Sequence, residues 1–124
     1  MRRTLAAYCQ LLDDGRFEEW SMLFAEDALM VVMGERLVGR DAIRGFIEPT
    51  QPAEARGRHL LSEPLVTIDG DRAEARTDYA FVAQTFDVLS AGRYYDRLVL
   101  GAGGWQFSVR EIVFVGAQPT EFTD

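Results

Sequence analysis

The first fifty residues carry apolar side chains three or four positions apart, which is the spacing of one helix face. The first such group is Leu5, Tyr8, Cys9 and Leu12. It predicts a helix from about Thr4 to Asp13, and Gly15 is typical of the position after a helix end. A second, shorter helix is predicted from Phe17 to Phe24 and a third from Arg40 to Ile47. Between them, the apolar run 28–33 is short enough to indicate a strand.

From His59 onward the pattern changes to the alternation that is typical of strands. The segment from His59 to Ile68 is interpreted as one long strand, in which Pro64 indicates a bulge or a sheet edge. Asp69-Gly70-Asp71 predicts a hairpin turn into a strand that alternates apolar and charged residues from Arg72 to Ala83. Two more strands are predicted to form a further hairpin: Arg93 to Leu100 and Trp105 to Val115.

Helices first and a long antiparallel meander afterwards predict an α+β fold. We expect three N-terminal helices to enclose a strongly curved, cone-shaped antiparallel sheet whose mouth holds a small ligand. The long strands are all expected after Arg56. With 124 residues and neither a linker nor an internal repeat, the chain is predicted to be one domain, residues 1–124.

Charge and composition narrow the expected partners. The formal net charge is -7 and all 13 basic residues are arginine. They form no basic stripe, so neither nucleic acid nor an anionic membrane is an expected partner. No segment approaches the roughly 20 apolar residues of a membrane span, and the N-terminal residues lack a signal peptide's apolar core, so a cytoplasmic protein is expected. The single cysteine, Cys9, excludes an intramolecular disulfide and is expected to be a core thiol.

Cofactor-dependent chemistry finds no motif in this sequence. One histidine and one cysteine do not supply a zinc site of the usual ligand types. The glycine-rich run 101–104 joins two strands and opens no helix, so it is not a phosphate-binding loop. No serine stands in a nucleophile-elbow motif. We therefore expect neither a metal nor a cofactor.

Asp13 and His59, the one histidine, are the residues that best fit a reaction. An imidazole beside a carboxylate is the minimal pair for taking a proton off carbon near neutral pH. Each residue also has a structural interpretation. Asp13 stands in an Asp-Asp-Gly turn that is normal at a helix end, although a carboxylate there opposes the helix dipole by about 0.3–1 kcal/mol. His59 is equally well interpreted as a hydrogen-bonded structural residue.

Several segments carry a family resemblance: Leu11–Phe17 with Trp20, Leu23–Ala28, Gly39–Ile43, and Gly92–Leu98 with Gly104–Phe107. They resemble the nuclear transport factor 2-like superfamily. Gly92–Leu98 and Gly104–Phe107 resemble the closing hairpin of its polyketide-cyclase-like (SnoaL-like) branch. The resemblance implies the cone-shaped, cystatin-like fold. It implies less about function, because this fold hosts enzymes, binding modules and subunits alike.

Within this superfamily, the positions of Asp13 and His59 are similar to those of the catalytic dyad in scytalone dehydratase and hexachlorocyclohexane dehydrochlorinase. The resemblance implies that Asp13 orients His59, which abstracts a proton as a leaving group departs. Scytalone dehydratase uses a further histidine that this chain lacks. Tyr8 matches the oxyanion-hole tyrosine of ketosteroid isomerases, but their base aspartate falls near Val32 here, so their route is not expected.

Further candidates for the ligand pocket are apolar or paired residues. Some of these wall candidates are also core candidates: Trp20, Met30, Val32 and Phe46. Tyr94 and Asp96 share one strand face and form the preferred pocket pair, with an ion pair between strands as the alternative. Arg110 follows Phe107 with a change of parity, which indicates a bulge that turns it inward, toward a pocket or a structural salt bridge.

The first functional hypothesis is a cofactor-independent lyase or isomerase that acts on a small, largely apolar molecule. Tyr8 and Tyr94 would donate hydrogen bonds to a developing oxyanion, each worth about 3 kcal/mol. The alternative is a non-catalytic small-ligand-binding module or the small subunit of a dioxygenase-like assembly. An open cone with His59 in its wall favours the enzyme, and a solidly packed cone favours the module. In either case the exposed, apolar sheet face predicts a homodimer or homotrimer.

Overall fold

The computed structural model describes residues 1–123 and contains three α-helices and a seven-stranded sheet in that range. The helices are α1 (Arg2–Asp13), α2 (Phe17–Ser21) and α3 (Arg40–Ile47). The strands are β1 (Phe24–Val32), β2 (Glu35–Val38), β3 (Arg58–Leu61), β4 (Leu65–Asp69), β5 (Arg72–Val82), β6 (Val88–Gly101) and β7 (Gly104–Phe114). None of these helices is long and apolar enough to cross a membrane.

The sheet runs in the order β2-β1-β7-β6-β5-β3, and β4 also pairs with β5. Every pairing is antiparallel except that of β1 with β7, which is parallel. The predicted α+β class and the curved, mostly antiparallel sheet are confirmed. The expectation that all long strands follow Arg56 is wrong, because β1 has nine residues and lies inside the sheet.

The second predicted helix extends too far. Helix α2 ends at Ser21, and Phe24 begins β1. Phe24 is fully buried and pairs with Phe107 across the parallel β1–β7 ladder, with 5.3 Å between the ring centroids. Burial of this ring in the sheet core overrides the helical spacing of the local sequence.

The predicted strand from His59 to Ile68 is two strands, β3 and β4, separated at residues 62–64. Both pair with β5, Leu61 opposite Tyr79 and Leu65 opposite Arg76, so three residues on one side face two on the other. Pro64 falls in this gap, where the missing N–H of proline costs no ladder hydrogen bond.

Helix α1 closes the concave face of the sheet with its apolar side. The buried apolar residues on this side of α1 are, as predicted, Leu5, Tyr8, Cys9 and Leu12. Tyr8 packs edge to face on Phe24 and Phe107, with centroid separations of 6.1 and 5.8 Å. Burying a large apolar side chain stabilises a fold by about 1.5–3 kcal/mol, so this face holds the helix on the sheet.

A bulge in β7 sets the direction of its side chains. Leu98 pairs with Phe107 and Arg97 with Val109, which leaves Ser108 as the extra residue. Phe107 and Arg110 therefore both point into the core, and both are fully buried. The change of parity that indicated this bulge in the sequence is confirmed.

The C-terminal residues lie over the outer face of β6 and β7. The ring of Phe122 packs 5.7 Å from that of Tyr95, and the Arg97 guanidinium lies 4.4 Å from the Phe122 centroid. The buried carboxylate of Glu111 accepts hydrogen bonds from the backbone N–H of Thr120 and of Glu121, and from the Thr120 hydroxyl. Part of the outer face is thus covered by the chain itself.

Candidate active site

The end of α1 and the start of β3 bring Asp13 and His59 together, 46 residues apart in sequence. Asp13 Oδ1 lies 2.6 Å from His59 Nδ1, and Asp13 Oδ2 accepts the backbone N–H of His59 at 2.8 Å. The Asp13 side chain is 3% exposed and that of His59 11%. Because both carboxylate oxygens are engaged, the imidazole ring is fixed in one orientation.

The turn after α1 keeps this contact in place. Gly15 takes a positive φ of 73° and ends the helix. The Arg56 guanidinium occupies the space where a Gly15 side chain would stand, and it lies 5.5 Å from the centroid of the Phe17 ring. Arg56 precedes β3, so it links the segment after Asp13 to the segment before His59.

The imidazole of His59 has one engaged and one free nitrogen. A carboxylate only accepts hydrogen bonds, so Nδ1 is the nitrogen that carries the proton toward Asp13. Nε2 makes no hydrogen bond within the described chain. It is also not one of the side-chain nitrogen or oxygen atoms that are buried without a partner. The ring packs on Phe81, its cross-strand partner, at a centroid separation of 4.7 Å. The nitrogen remote from Asp13 is therefore available to accept a proton, as a general base requires.

A cavity of about 180 Å³ lies beside this dyad, and His59 forms part of its wall. Three other residues expected in the pocket also line it: Tyr8, Val32 and Tyr94. Tyr79 lines it too, and its ring stacks on Tyr94 at 4.5 Å with an interplanar angle of 6°. The cone is therefore not packed solid next to His59.

The phenols in the cavity wall are protonated at neutral pH. Burial raises the pKa of Tyr8 above its usual range, and the nearby Arg110 charge only partly opposes this. Burial also raises the pKa of Tyr94, and again Arg110 opposes the shift. Burial raises the pKa of Tyr79, whose hydroxyl shares a hydrogen bond of 2.9 Å with Ser90. Neutral phenols of this kind are hydrogen-bond donors.

Asp96 and Arg110 do not line the cavity, which corrects their assignment to ligand binding. Both are fully buried, and Arg110 donates two hydrogen bonds to Asp96, at 2.7 and 2.8 Å. The guanidinium carbon lies 4.1, 3.9 and 4.2 Å from the ring centroids of Tyr8, Tyr94 and Phe107. The salt bridge that the sequence left open is therefore present, behind the tyrosines of the cavity wall.

Both charges of this pair are retained in the core. Burial raises the pKa of Asp96, and the Arg110 guanidinium opposes that rise. Burial lowers the pKa of Arg110, but Asp96 more than offsets the effect, so the guanidinium stays protonated. Three surrounding rings add cation–π attraction, which is strongest where water is excluded.

Three apolar candidates also lie outside the cavity wall: Trp20, Met30 and Phe46. Trp20 and Met30 are fully buried core residues, with no surface left for a ligand. Phe46 is half-buried against the core, and Ile47, one residue later, lines the cavity instead. The 100° step between helix neighbours turns one of these two side chains toward the cavity and the other away.

Gln51 is a cavity residue that the sequence did not single out. It follows α3 and a short 3₁₀ turn, Glu48–Thr50, in a segment without periodicity. Its Nε2 donates to the Thr50 hydroxyl at 3.2 Å, while its Oε1 is buried and has no hydrogen-bond partner within the part of the chain that the structure describes. A polar residue between Pro49 and Pro52 was the one available signal, and it does not distinguish a site from a loop.

Thiol and metal chemistry find little support in the described residues. Burial raises the pKa of the Cys9 thiol to about 12, although Arg110 opposes this, so the thiol is neutral at physiological pH. Cys9 is buried, as expected for a core thiol. Among residues 1–123, no three His, Cys, Asp or Glu side chains are grouped as metal ligands.

A family model described as a SnoaL-like domain matches residues 1–111. The chain belongs to this SnoaL-like family. The resemblance to the nuclear transport factor 2-like superfamily is thereby confirmed. A search of curated proteins finds no match to this SnoaL-like sequence.

Solved structures similar to this SnoaL-like chain include three from Novosphingobium aromaticivorans. One is a nuclear transport factor 2-like protein with a cystatin-like fold, 28% identical, with a TM-score of 0.79 over 94% of this chain and 80% of that chain. A candidate scytalone dehydratase is 22% identical, with a TM-score of 0.83 over 99% and 92% of the two chains. The beta subunit of a candidate aromatic-ring-hydroxylating dioxygenase is 24% identical, with a TM-score of 0.73 over 96% and 89%. The last two likenesses concern the fold alone.

Proposed function

We propose that this SnoaL-like chain is a cofactor-independent lyase or isomerase that abstracts a proton from a small, largely apolar molecule. The observation that carries the proposal is the Asp13–His59 contact at the wall of a cavity. The carboxylate fixes the ring through Nδ1 and through the His59 backbone, and Nε2 remains free as the base. A histidine with one nitrogen held by a buried carboxylate and the other free is the usual form of an oriented general base.

In the proposed reaction, Nε2 of His59 takes a proton from a carbon atom of the substrate. In a lyase, the C–H electron pair forms a double bond as the leaving group departs with its own bonding pair. In an isomerase, the double bond shifts and the proton returns to a second carbon. Asp13 stabilises the imidazolium that forms, and the phenols of Tyr8 and Tyr94 donate to negative charge on the substrate. In the lyase, deprotonation of the imidazolium by solvent completes the cycle; in the isomerase, the return of the proton to the second carbon already restores the neutral ring.

The wild-type chain and the variants His59→Ala and Asp13→Asn test this proposal. As a probe we suggest 3-hydroxycyclohexanone, because abstraction of its α-proton expels hydroxide and gives an absorbing enone. Each variant should lower the rate by orders of magnitude, and the double variant should be no worse than His59→Ala, because the two residues act as one unit. The rate should not depend on added metal.

Asp14→Asn is the matched control, since Asp14 is the exposed neighbour of Asp13. This variant should keep both the fold and the rate. The proposal would be refuted by near-normal turnover in His59→Ala. It would also be refuted if the wild-type protein neither dehydrates cyclic β-hydroxy ketones nor exchanges their α-protons in deuterated water.

The second candidate is a non-catalytic binding module or the small subunit of a dioxygenase-like assembly. The observation in its favour is the filled layer behind the cavity, where Arg110 and three rings occupy the inside of the cone. A chain of this kind would bind ligands with no proton exchange, and His59→Ala would leave their affinity unchanged.

We also propose that the chain forms a homo-oligomer through its sheet. All five residues of β4 are exposed, and they include Leu65 and Ile68 at 75% and 56% exposure. Exposed apolar residues on a sheet edge favour pairing with another strand. Light scattering should give at least twice the mass of one chain, and a monomer at micromolar concentration would contradict this.

A further inference from the structure

One row of cavity-facing side chains crosses three neighbouring strands. His59 of β3 pairs with Phe81 of β5, and Phe81 pairs with Ser90 of β6. Directly opposed residues point to the same face of a sheet, and all three line the cavity. Two strand spacings of about 4.8 Å each therefore separate the backbones of the base and the serine. A ligand that lies over Phe81 has His59 on one side and Ser90 on the other.

Ser90 forms a hydroxyl pair with Tyr79. The two oxygens lie 2.9 Å apart, and either one can be the donor. Tyr79 pairs with Gly92, where an added Cβ would stand 3.0 Å from the Tyr79 ring. Because Gly92 has no side chain, the Tyr79 ring has room to stack on Tyr94 while its hydroxyl reaches Ser90. The alternation of β6 thus places a hydroxyl, a gap and a ring on the cavity face.

This hydroxyl pair has one proton more than it uses. Two hydroxyls carry two protons, and the bond between them needs one. Among residues 1–123, neither hydroxyl has another hydrogen-bond partner. A phenol is a more acidic donor than an alcohol, so the favoured arrangement has Tyr79 as the donor and leaves the Ser90 proton free. Ser90 is also the more exposed residue, since it is half-buried and Tyr79 is 6% exposed.

A ligand that covers Ser90 either accepts this proton or leaves it without a bond. An apolar ligand would displace water from the hydroxyl and replace none of its hydrogen bonding, which weakens binding. A carboxylate would accept the proton, but no arginine of the described chain lines the cavity to balance its charge. A neutral carbonyl oxygen meets both conditions. A carbonyl also makes the neighbouring C–H groups acidic, as proton abstraction by His59 requires.

We propose that Ser90, supported by Tyr79, binds the carbonyl oxygen of a neutral substrate whose acidic C–H group lies at His59. Tyr79 acts through Ser90, because donation by the phenol polarises the serine O–H and strengthens its bond to the ligand. A carbonyl oxygen accepts two hydrogen bonds, so the second remains for Tyr8 or Tyr94 of the proposed reaction. The inference deepens the proposed function and rests on it only in placing the reacting C–H group at His59.

Two ligands of the same shape separate the carbonyl from the rest of the molecule. Acetophenone carries a C=O group where α-methylstyrene carries C=CH₂, and NMR titration of the full chain gives an affinity for each. Water solvates the ketone better than the alkene, so variants are compared by the ratio of the two affinities, the ketone preference. In Ser90→Ala the ketone preference should fall about three- to tenfold, the range of one net hydrogen bond.

Tyr79→Phe should lower the ketone preference by less than Ser90→Ala does, because Ser90 keeps its O–H and loses only the polarisation. A larger loss in Tyr79→Phe would make the phenol the direct donor and overturn the assignment to Ser90. Ser90→Thr keeps the hydroxyl and should keep the ketone preference. Ser108→Ala is the matched control and should keep it too, because this half-buried serine of β7 donates to the Arg97 carbonyl and does not line the cavity.

His59→Ala separates this inference from the proposed function. The ketone preference needs no proton transfer, so it should stay at the wild-type value in this variant. A preference that depends on Ser90 in a wild-type chain without proton-transfer activity would uphold the binding role of Ser90 and refute the lyase or isomerase. A ketone preference unchanged in Ser90→Ala would overturn the inference, and so would a wild-type chain that binds neither compound at millimolar concentration.

Discussion

Replacing Asp96 by asparagine should destabilise the fold strongly, because it leaves a buried cation without its carboxylate. The Asp96 and Arg110 side chains are both fully buried, and they are joined by hydrogen bonds of 2.7 and 2.8 Å. Asparagine keeps the shape of Asp96, but its NH₂ group would face a donor. Among residues 1–123, Arg110 Nη1 already has no hydrogen-bond partner, so no existing bond of the guanidinium replaces those to Asp96.

Breaking one side of a buried ion pair typically costs about 3–5 kcal/mol. The total stability of a domain is about 5–15 kcal/mol, so this loss is a large part of it. An unfolding entropy of about 2.1 cal/mol/K per residue, taken over 124 residues, gives roughly 0.26 kcal/mol/K. The melting temperature should therefore fall by about 12–19 °C.

Urea unfolding followed by circular dichroism measures the loss directly, as a lower midpoint at an unchanged m-value. Asp78→Asn is the control, since Asp78 pairs with Arg93 across the neighbouring β5–β6 ladder while about half of each side chain stays exposed. Exposed pairs contribute about 0–1 kcal/mol, so its midpoint should hardly move. In a double-mutant cycle with Arg110→Met, the double variant should lose clearly less free energy of unfolding than the two single variants lose together. A loss below about 1 kcal/mol in Asp96→Asn would refute the reasoning.

Two further predictions concern a close backbone contact in β6 and the phenols of the cavity wall. Gly92→Ala should cost about 1–3 kcal/mol, because its added Cβ would stand 2.1 Å from the Val113 carbonyl oxygen; thermal unfolding checks this, and an unchanged melting temperature would contradict it. Burial raises the pKa of Tyr8 and of Tyr94, so the unfolded chain loses these protons first. The free energy of unfolding should therefore hold up to about pH 10 and fall above it. Tyr8→Phe should weaken that fall, and phenolate absorbance from both residues before unfolding would argue against burial as the cause.

The sequence predicts elements best where periodicity and end signals agree. Helix α3 runs from Arg40 to Ile47 as predicted, because its apolar spacing lies between Gly39 and a proline-containing segment. The overextended α2 shows the limit. Nothing local indicates that Phe24 lies in a strand, because its partner Phe107 is more than eighty residues away. Long-range pairing, rather than propensity, decides such positions.

The residues of the candidate site also differ in how well the sequence predicts them. Asp13 is a carboxylate at a helix end, where it opposes the dipole, and His59 is the one histidine. Both could therefore be singled out from the sequence before their contact was known. The cavity wall depends on which side of an element faces inward, and one step along α3 exchanges Phe46 for Ile47. Gln51 was missed because its place in the cavity wall follows from packing, which no periodicity records.

The parallel pairing of β1 with β7 has a consequence for how the chain folds as it is synthesised. Strand β1 can form a hairpin with β2 early, but its other edge pairs with the last strand of the described chain. Until β7 has left the ribosome, the buried side chains of Phe24 and Met30 have no sheet to cover them. The meander from β3 to β7 therefore has to form late. Until then the N-terminal hairpin of β1 and β2 exposes apolar side chains that can aggregate. Chaperone binding during translation should depend on this interval, and a slower ribosome over the second half of the message should increase aggregation.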